Sequence, residues 1–123
     1  MVTGVPDGYS MVIFSHHPIS SALTNSHWQN PLGLQGVINP YANRIICCIC
    51  GHSHADISET KDGILYIGTT MAMYGTDQDG NTRVINTEQE TAFDTFVIDQ
   101  TAKHIYAFRY GYGSNRDWSY TLA

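Results

Sequence analysis

Positive charge is scarce in this chain. Six lysines and arginines stand against eleven aspartates and glutamates, the net charge is -5 with histidine neutral, and only 14% of the 123 residues are charged. No basic cluster occurs, which argues against a nucleic-acid scaffold that clamps a phosphate backbone. Long apolar runs are missing as well. The longest, residues 45–50, falls far short of the ~20 residues that span a bilayer. Residues 1–10 carry neither the positive start nor the apolar core of a signal peptide. These absences predict a soluble, cytoplasmic chain with no membrane partner.

Cysteine is sparse and oddly placed. All three cysteines, Cys47, Cys48 and Cys50, sit in one strand-like run. An odd number of thiols on one strand gives no disulfide framework. ICCIC also lacks the two-residue gap of zinc knuckles and ribbons, so the thiols are expected to be buried and reduced. No internal repeat or low-complexity segment occurs.

What is present is a packed globular composition. Hydrophobic residues make up 42%, and eleven glycines and eight tyrosines favour strands and loops over a helical bundle. The length suits one domain, residues 1–123. Strands are expected at residues 10–15, 44–50, 57–60, 63–68, 92–98 and 104–110. Residues 31–42 fit a short helix roughly, weakened by Gly33 and Gly36. The turn Lys61-Asp62-Gly63 separates two of the strands, and residues 99–103 close a hairpin between the last two. Residues 71–89 read as a long loop and residues 111–123 as a glycine- and tyrosine-rich tail. The pattern is α/β with a layered sheet.

Histidine carries the chemistry. There are six, at positions 16, 17, 27, 52, 54 and 104. His52 and His54 flank Ser53 in GHSH, so in an extended segment both imidazoles can face one point. Gly51 is expected to let the backbone turn sharply there. Such a pair suits zinc, manganese, iron or nickel, although a lone HxH also arises by chance. The second group, MVIFSHHP, repeats the arrangement: an apolar strand, then histidine at its carboxyl end. Open α/β sheets place their sites at that edge. His27 and His104 read as ordinary loop and strand residues. Asp77, Asp79 and Asn81 in TDQDGNT form too incomplete a pattern for a calcium loop and read as a flexible loop. Arg109 and Arg116 could meet a phosphate, but the plainer expectation is surface arginine pairing with an acid such as Asp117.

Together, SHHP and GHSH resemble the two late motifs of the calcineurin-like metallophosphoesterases. In that family a histidine stands two residues before a proline, and a glycine precedes HxH, each after an apolar strand. His16 before Pro18, then Gly51, His52 and His54, follow that order. GILYIGTT and the paired segments TAFDTFVID and HIYAFRYGYG resemble the family's closing strands. The ending GYGSNRDWSY resembles tails of phosphoesterases from bacterial and phage genomes. The resemblance implies the carboxyl-terminal part of a layered α/β/β/α sandwich, strand-rich with a closing β-hairpin.

It also implies metal-dependent hydrolysis of a phosphoester substrate at a two-metal site. His16 and His52 would bind one divalent transition metal (manganese, iron, zinc or nickel) and His54 the other. His17 matches no ligand position and would orient a neighbour or pack beside the site. Gly51 and Arg109 would lie near the ligands or the substrate. The family's earlier motifs, DxH, GDxxD and GNH with its acid, do not occur here. The bridging aspartate, the asparagine ligand and the proton-donating histidine are therefore missing. The expectation is a fragment, inactive alone, that self-associates or meets an amino-terminal half. The alternative is a non-catalytic metal-binding or structural module that retains the fold, for example in a phage virion.

Overall fold

Three strand ends line up on one edge of a sheet, and the histidine loops leave from that edge. The structure is a computed structural model that describes residues 4–20, 23, 33–73 and 82–122. Among the described residues the strands are β1 (Met11–Ser15), β2 (Ile45–Cys50), β3 (Ile57–Lys61), β4 (Ile64–Gly68), β5 (Ala92–Asp99), β6 (His104–Gly111) and β7 (Arg116–Ser119). One short helix, α1 (Leu34–Ile38), runs into a 3₁₀ segment over Asn39–Arg44. The expected helix gives way to the 3₁₀ segment at Asn39, just before Pro40, which has no N–H to continue an α-helical ladder. None of the described helices is long and apolar enough to cross a membrane.

The first sheet has the order β1-β2-β4-β3, with β1, β2 and β4 parallel and β3 antiparallel. Its register sets Ser15 opposite Cys50 and Cys50 opposite Gly68, so the three parallel strands end together. The second sheet is an antiparallel meander, β5-β6-β7. This is a strand-rich, mixed fold, and the β5–β6 hairpin forms as its sequence implies. Asp99 helps close it by accepting from the amides of Thr101 and Ala102 at 2.9 and 2.8 Å.

β2 is buried at every position because both faces of the first sheet are covered. On one face Ile45, Cys48 and Cys50 join Ile19, Leu23, Ile38, Ile64 and Tyr66, with Leu34 and Tyr41 packed beside them. On the other, Ile46, Cys47 and Ile49 join Leu65, Ile67, Ile105 and Tyr120. Ile46 and Cys47 are neighbours yet share a face. The register shifts there, since Met11 pairs with Ile45 but Val12 with Cys47, and such a bulge breaks the period of two. Burial pushes the thiols of Cys47 and Cys48 up to about 12 and that of Cys50 up to about 11. They are free, buried and protonated at neutral pH, as expected from the sequence.

The Lys61-Asp62-Gly63 turn is a two-residue hairpin loop. Asp62 and Gly63 have φ of 52° and 78°, the left-handed pair that matches the strands' twist. β7 lies within the glycine- and tyrosine-rich tail, where the sequence gives no strand expectation. Its residues RDWS carry two charges in four positions, and that hides the alternation. Arg116 and Trp118 face inward while Asp117 and Ser119 are exposed.

Candidate metal centre

His16 and His17 follow β1 directly, and Gly51 to His54 follow β2. Backbone hydrogen bonds extend the sheet past its strands: Gly51 N–H donates to the His16 carbonyl at 3.2 Å, and Thr69 N–H to that of Cys50 at 2.9 Å. The two loops are thereby stitched side by side. The His16 and His52 ring centroids lie 5.3 Å apart, and those of His17 and His52 4.0 Å apart. Each of His16, His17 and His52 offers one ring nitrogen, and the three atoms lie within 4.8 Å of one another. This group can hold a metal ion. His54 is exposed and lies outside it. His27 lies outside the described residues, as do Asp77, Asp79 and Asn81. His104 sits on β6, its ring 2.7 Å from Asp117 and far in sequence from both loops.

The sharp turn after β2 is made by the histidines rather than by Gly51. His52 and His54 have φ of 61° and 57°, a left-handed conformation uncommon outside glycine. Gly51 is not left-handed, and a Cβ there would sit 3.9 Å from His16 Nδ1, an ordinary contact. Strain of about 1–3 kcal/mol per such residue persists only where the surroundings impose it, and it clusters at functional sites.

A buried ionic cluster lies behind the His54 end of this loop. Arg109 donates through Nε to Asp94 at 2.8 Å and through Nη2 to both oxygens of Asp56 at 2.8 and 2.9 Å. Its Nη1 donates to the Tyr112 carbonyl at 2.8 Å. Arg116 pairs with Asp94 at 2.5 Å and Asp56 at 3.1 Å, and donates to the Gly68 carbonyl at 3.1 Å. The side chains of Arg109 and Asp94 are each only 2% exposed. Desolvation works against the Arg109 charge, yet hydrogen bonds to Asp94 and Asp56 outweigh it and hold the guanidinium above its ordinary pKa. Asp56 in turn accepts from Thr70 N–H at 3.1 Å, and the Thr70 hydroxyl donates to the His54 carbonyl at 3.2 Å.

Two expectations change. Neither Arg109 nor Arg116 pairs with Asp117, which faces His104 instead. Arg109 also has its donors committed to two carboxylates and a carbonyl, so it braces the histidine loop from behind rather than presenting itself to a substrate. The signal was in the alternation of β5. Asp94 shares a face with Ala92, Phe96 and Ile98, and a carboxylate on an apolar face calls for a buried partner. Arg83 was also missed. It is 3% exposed and donates to the carbonyls of Met71 and Met73, tying down the segment after Thr70.

Beside His16, at the carboxyl ends of β1, β2 and β4, lies an open depression of about 350 Å³ lined by Phe14, Ser15, Ile49, Cys50, Gly51 and Thr69. Its walls are mostly apolar, and of the three imidazoles only His16 lines it.

Compared with protein-family models, curated proteins and solved structures, the chain matches none.

Proposed function

We propose that the chain supplies the histidine side of a metal-dependent phosphoester hydrolase, with His16 and His52 on one metal and His54 directed to a second. The observation that carries this reading is the pair His16 and His52. They leave the carboxyl ends of adjacent parallel strands with rings 5.3 Å apart. That edge is where open α/β sheets gather ligands. The order SHHP then GHSH and the left-handed histidines support the same reading.

Imidazole nitrogens suit zinc, iron and nickel, while manganese draws more on oxygen ligands, which the carboxylate side would supply. A pair of metals about 3.5–4 Å apart also needs anionic ligands between them. Among the described residues the nearest acids linked to the loops, Asp56 and Asp94, are committed to Arg109 and Arg116. Among the described residues the histidine side fits and the carboxylate side is not furnished, so the reading includes carboxylates brought from outside them. Bound metals would activate water and hold phosphate oxygens. The chain's own part is to present His16 and His52 together and to hold the His54 backbone in place through Thr70.

The test is a phosphodiesterase assay with manganese on this chain alone, on the chain mixed with the polypeptide encoded upstream, and on the mixture carrying His52→Ala. Turnover is expected only in the unsubstituted mixture. Equal turnover with His52→Ala, or none in any combination, would overturn the proposal.

A further inference from the structure

We infer that His17, with His16 and His52, forms a one-metal site whose donors among the described residues are three imidazoles and no carboxylate. This rests on reading His16 and His52 as ligands and adds a donor that the sequence resemblance does not assign.

The first argument is orientation. In an extended strand, consecutive side chains point to opposite faces, so His17 should turn away from His16. It does not, because the chain bends at the end of β1. The Ser15 hydroxyl donates to the His17 carbonyl at 2.7 Å and curls the backbone back on itself. As a result the His16 and His17 rings stand edge to face with centroids 5.1 Å apart, and both approach His52. His52 itself has a left-handed φ of 61°, and its ring centroid lies 5.3 Å from that of His16 and 4.0 Å from that of His17.

The second argument is reach. Nitrogens bound to one zinc at about 2.0–2.1 Å in tetrahedral array stand about 3.4 Å apart. Here the three candidate nitrogens lie within 4.8 Å of one another. The gap closes by small side-chain rotations. His16 and His17 are exposed and free to make them, while His52 is half-buried and acts as the fixed point.

The third argument is charge. The acids nearest the loops are neutralised by Arg109 and Arg116. Among the described residues the site therefore offers nitrogen donors alone, a set that selects zinc, cobalt, nickel or copper and disfavours magnesium and calcium. With three protein donors, coordination remains open to solvent or to a small anion.

The experiment uses cobalt(II) as a spectroscopic stand-in for zinc, on the full chain and on His16→Ala, His17→Ala, His52→Ala and His54→Ala. Proton NMR of the cobalt complex gives one hyperfine-shifted exchangeable N–H signal per coordinated imidazole. Calorimetry with zinc gives stoichiometry and affinity, and circular dichroism checks the fold of each variant. The expected result is one metal per chain and three shifted signals, matching the three histidines. His17→Ala should lose one signal and weaken zinc at least about tenfold, because even residues that only orient a ligand cost 10–100-fold. His54→Ala should leave both unchanged. Should a variant misfold, histidine-selective nitrogen labelling of the unsubstituted chain still identifies which rings bind. Loss of a signal with His54→Ala in place of His17→Ala would overturn this inference and leave the phosphoesterase reading standing. Unchanged binding in both His16→Ala and His52→Ala would overturn both.

Discussion

Asp56 and Arg109 stand 53 positions apart, and both carboxylate oxygens of Asp56 accept from Nη2 of Arg109, at 2.8 and 2.9 Å. This bond ties the second sheet to the loop that carries His52 and His54. The link runs from Arg109 to Asp56, from Asp56 to the Thr70 amide, and from the Thr70 hydroxyl to the His54 carbonyl. A buried ion pair is not a cheap source of stability, since desolvation offsets much of its attraction. Its value here is geometric: it fixes where a strained loop sits.

Removing one partner of such a cluster leaves a charge without its counterpart. Asp56→Ala is expected to destabilise the chain by about 3–5 kcal/mol. Asp56→Asn keeps an acceptor for Thr70 and should cost less. Urea unfolding measures the first effect, and hydrogen exchange at the Thr70 amide measures loosening of the loop. An Asp56→Ala variant with the unfolding midpoint and Thr70 protection of the unsubstituted chain would show that the bond braces nothing.

The left-handed backbone at His54 gives a second expectation. Glycine adopts φ near 57° freely, whereas alanine retains the Cβ that makes it costly. His54→Gly should therefore be more stable than His54→Ala by about 1 kcal/mol, after allowing for glycine's more flexible unfolded chain. The two variants lose the same imidazole, so their difference isolates backbone strain. Equal urea midpoints would mean that the loop relaxes and stores no strain.

The strands were legible because their apolar runs are long enough to resist other readings. IICCIC, buried on both faces, and the Asp62-Gly63 turn are plain in the sequence. β7 was not legible, because Arg116 faces inward to meet Asp94 and so reads as a surface charge. The same applies to Arg109, whose partner Asp56 lies far away in sequence. The strand-end positions of His16 and His52 could be read directly. The approach of His17 could not, since it depends on a hydroxyl that reverses the normal alternation of side chains.

The buried thiols make stability depend on alkaline pH. Their pKa values rise on folding, from 9.0 to about 12 for Cys47 and Cys48 and to about 11 for Cys50, first because burial disfavours the thiolate. Burial also raises Tyr66. A raised folded pKa means that the stabilising contribution is complete below the unfolded value, near 9, and is lost as pH climbs through the folded values. The urea midpoint should stay level up to pH 9 and then fall steadily. A Cys47→Ala, Cys48→Ala double variant should fall less steeply. A midpoint independent of pH above 9 would contradict the burial argument.

The last expectation concerns the open edge of the first sheet. β1 is the outer strand beside β2, and its far edge pairs with no strand among the described residues. Its residues, MVIFS, carry no charge and no proline, the usual guards against edge pairing. Phe14 on this strand is 72% exposed. Parallel strands normally lie inside a sheet, so an apolar parallel edge invites another strand. The chain is therefore expected to self-associate through β1, with a light-scattering mass that rises with concentration. Phe14→Lys places a charge on that edge and should return the chain to a monomer without lowering its urea midpoint. The second sheet offers a rival surface, where Phe93, Phe108 and Tyr110 are also exposed. If Phe108→Ser abolishes association and Phe14→Lys does not, the contact lies on that aromatic face and the edge-pairing argument fails. A monomer at every concentration would remove both.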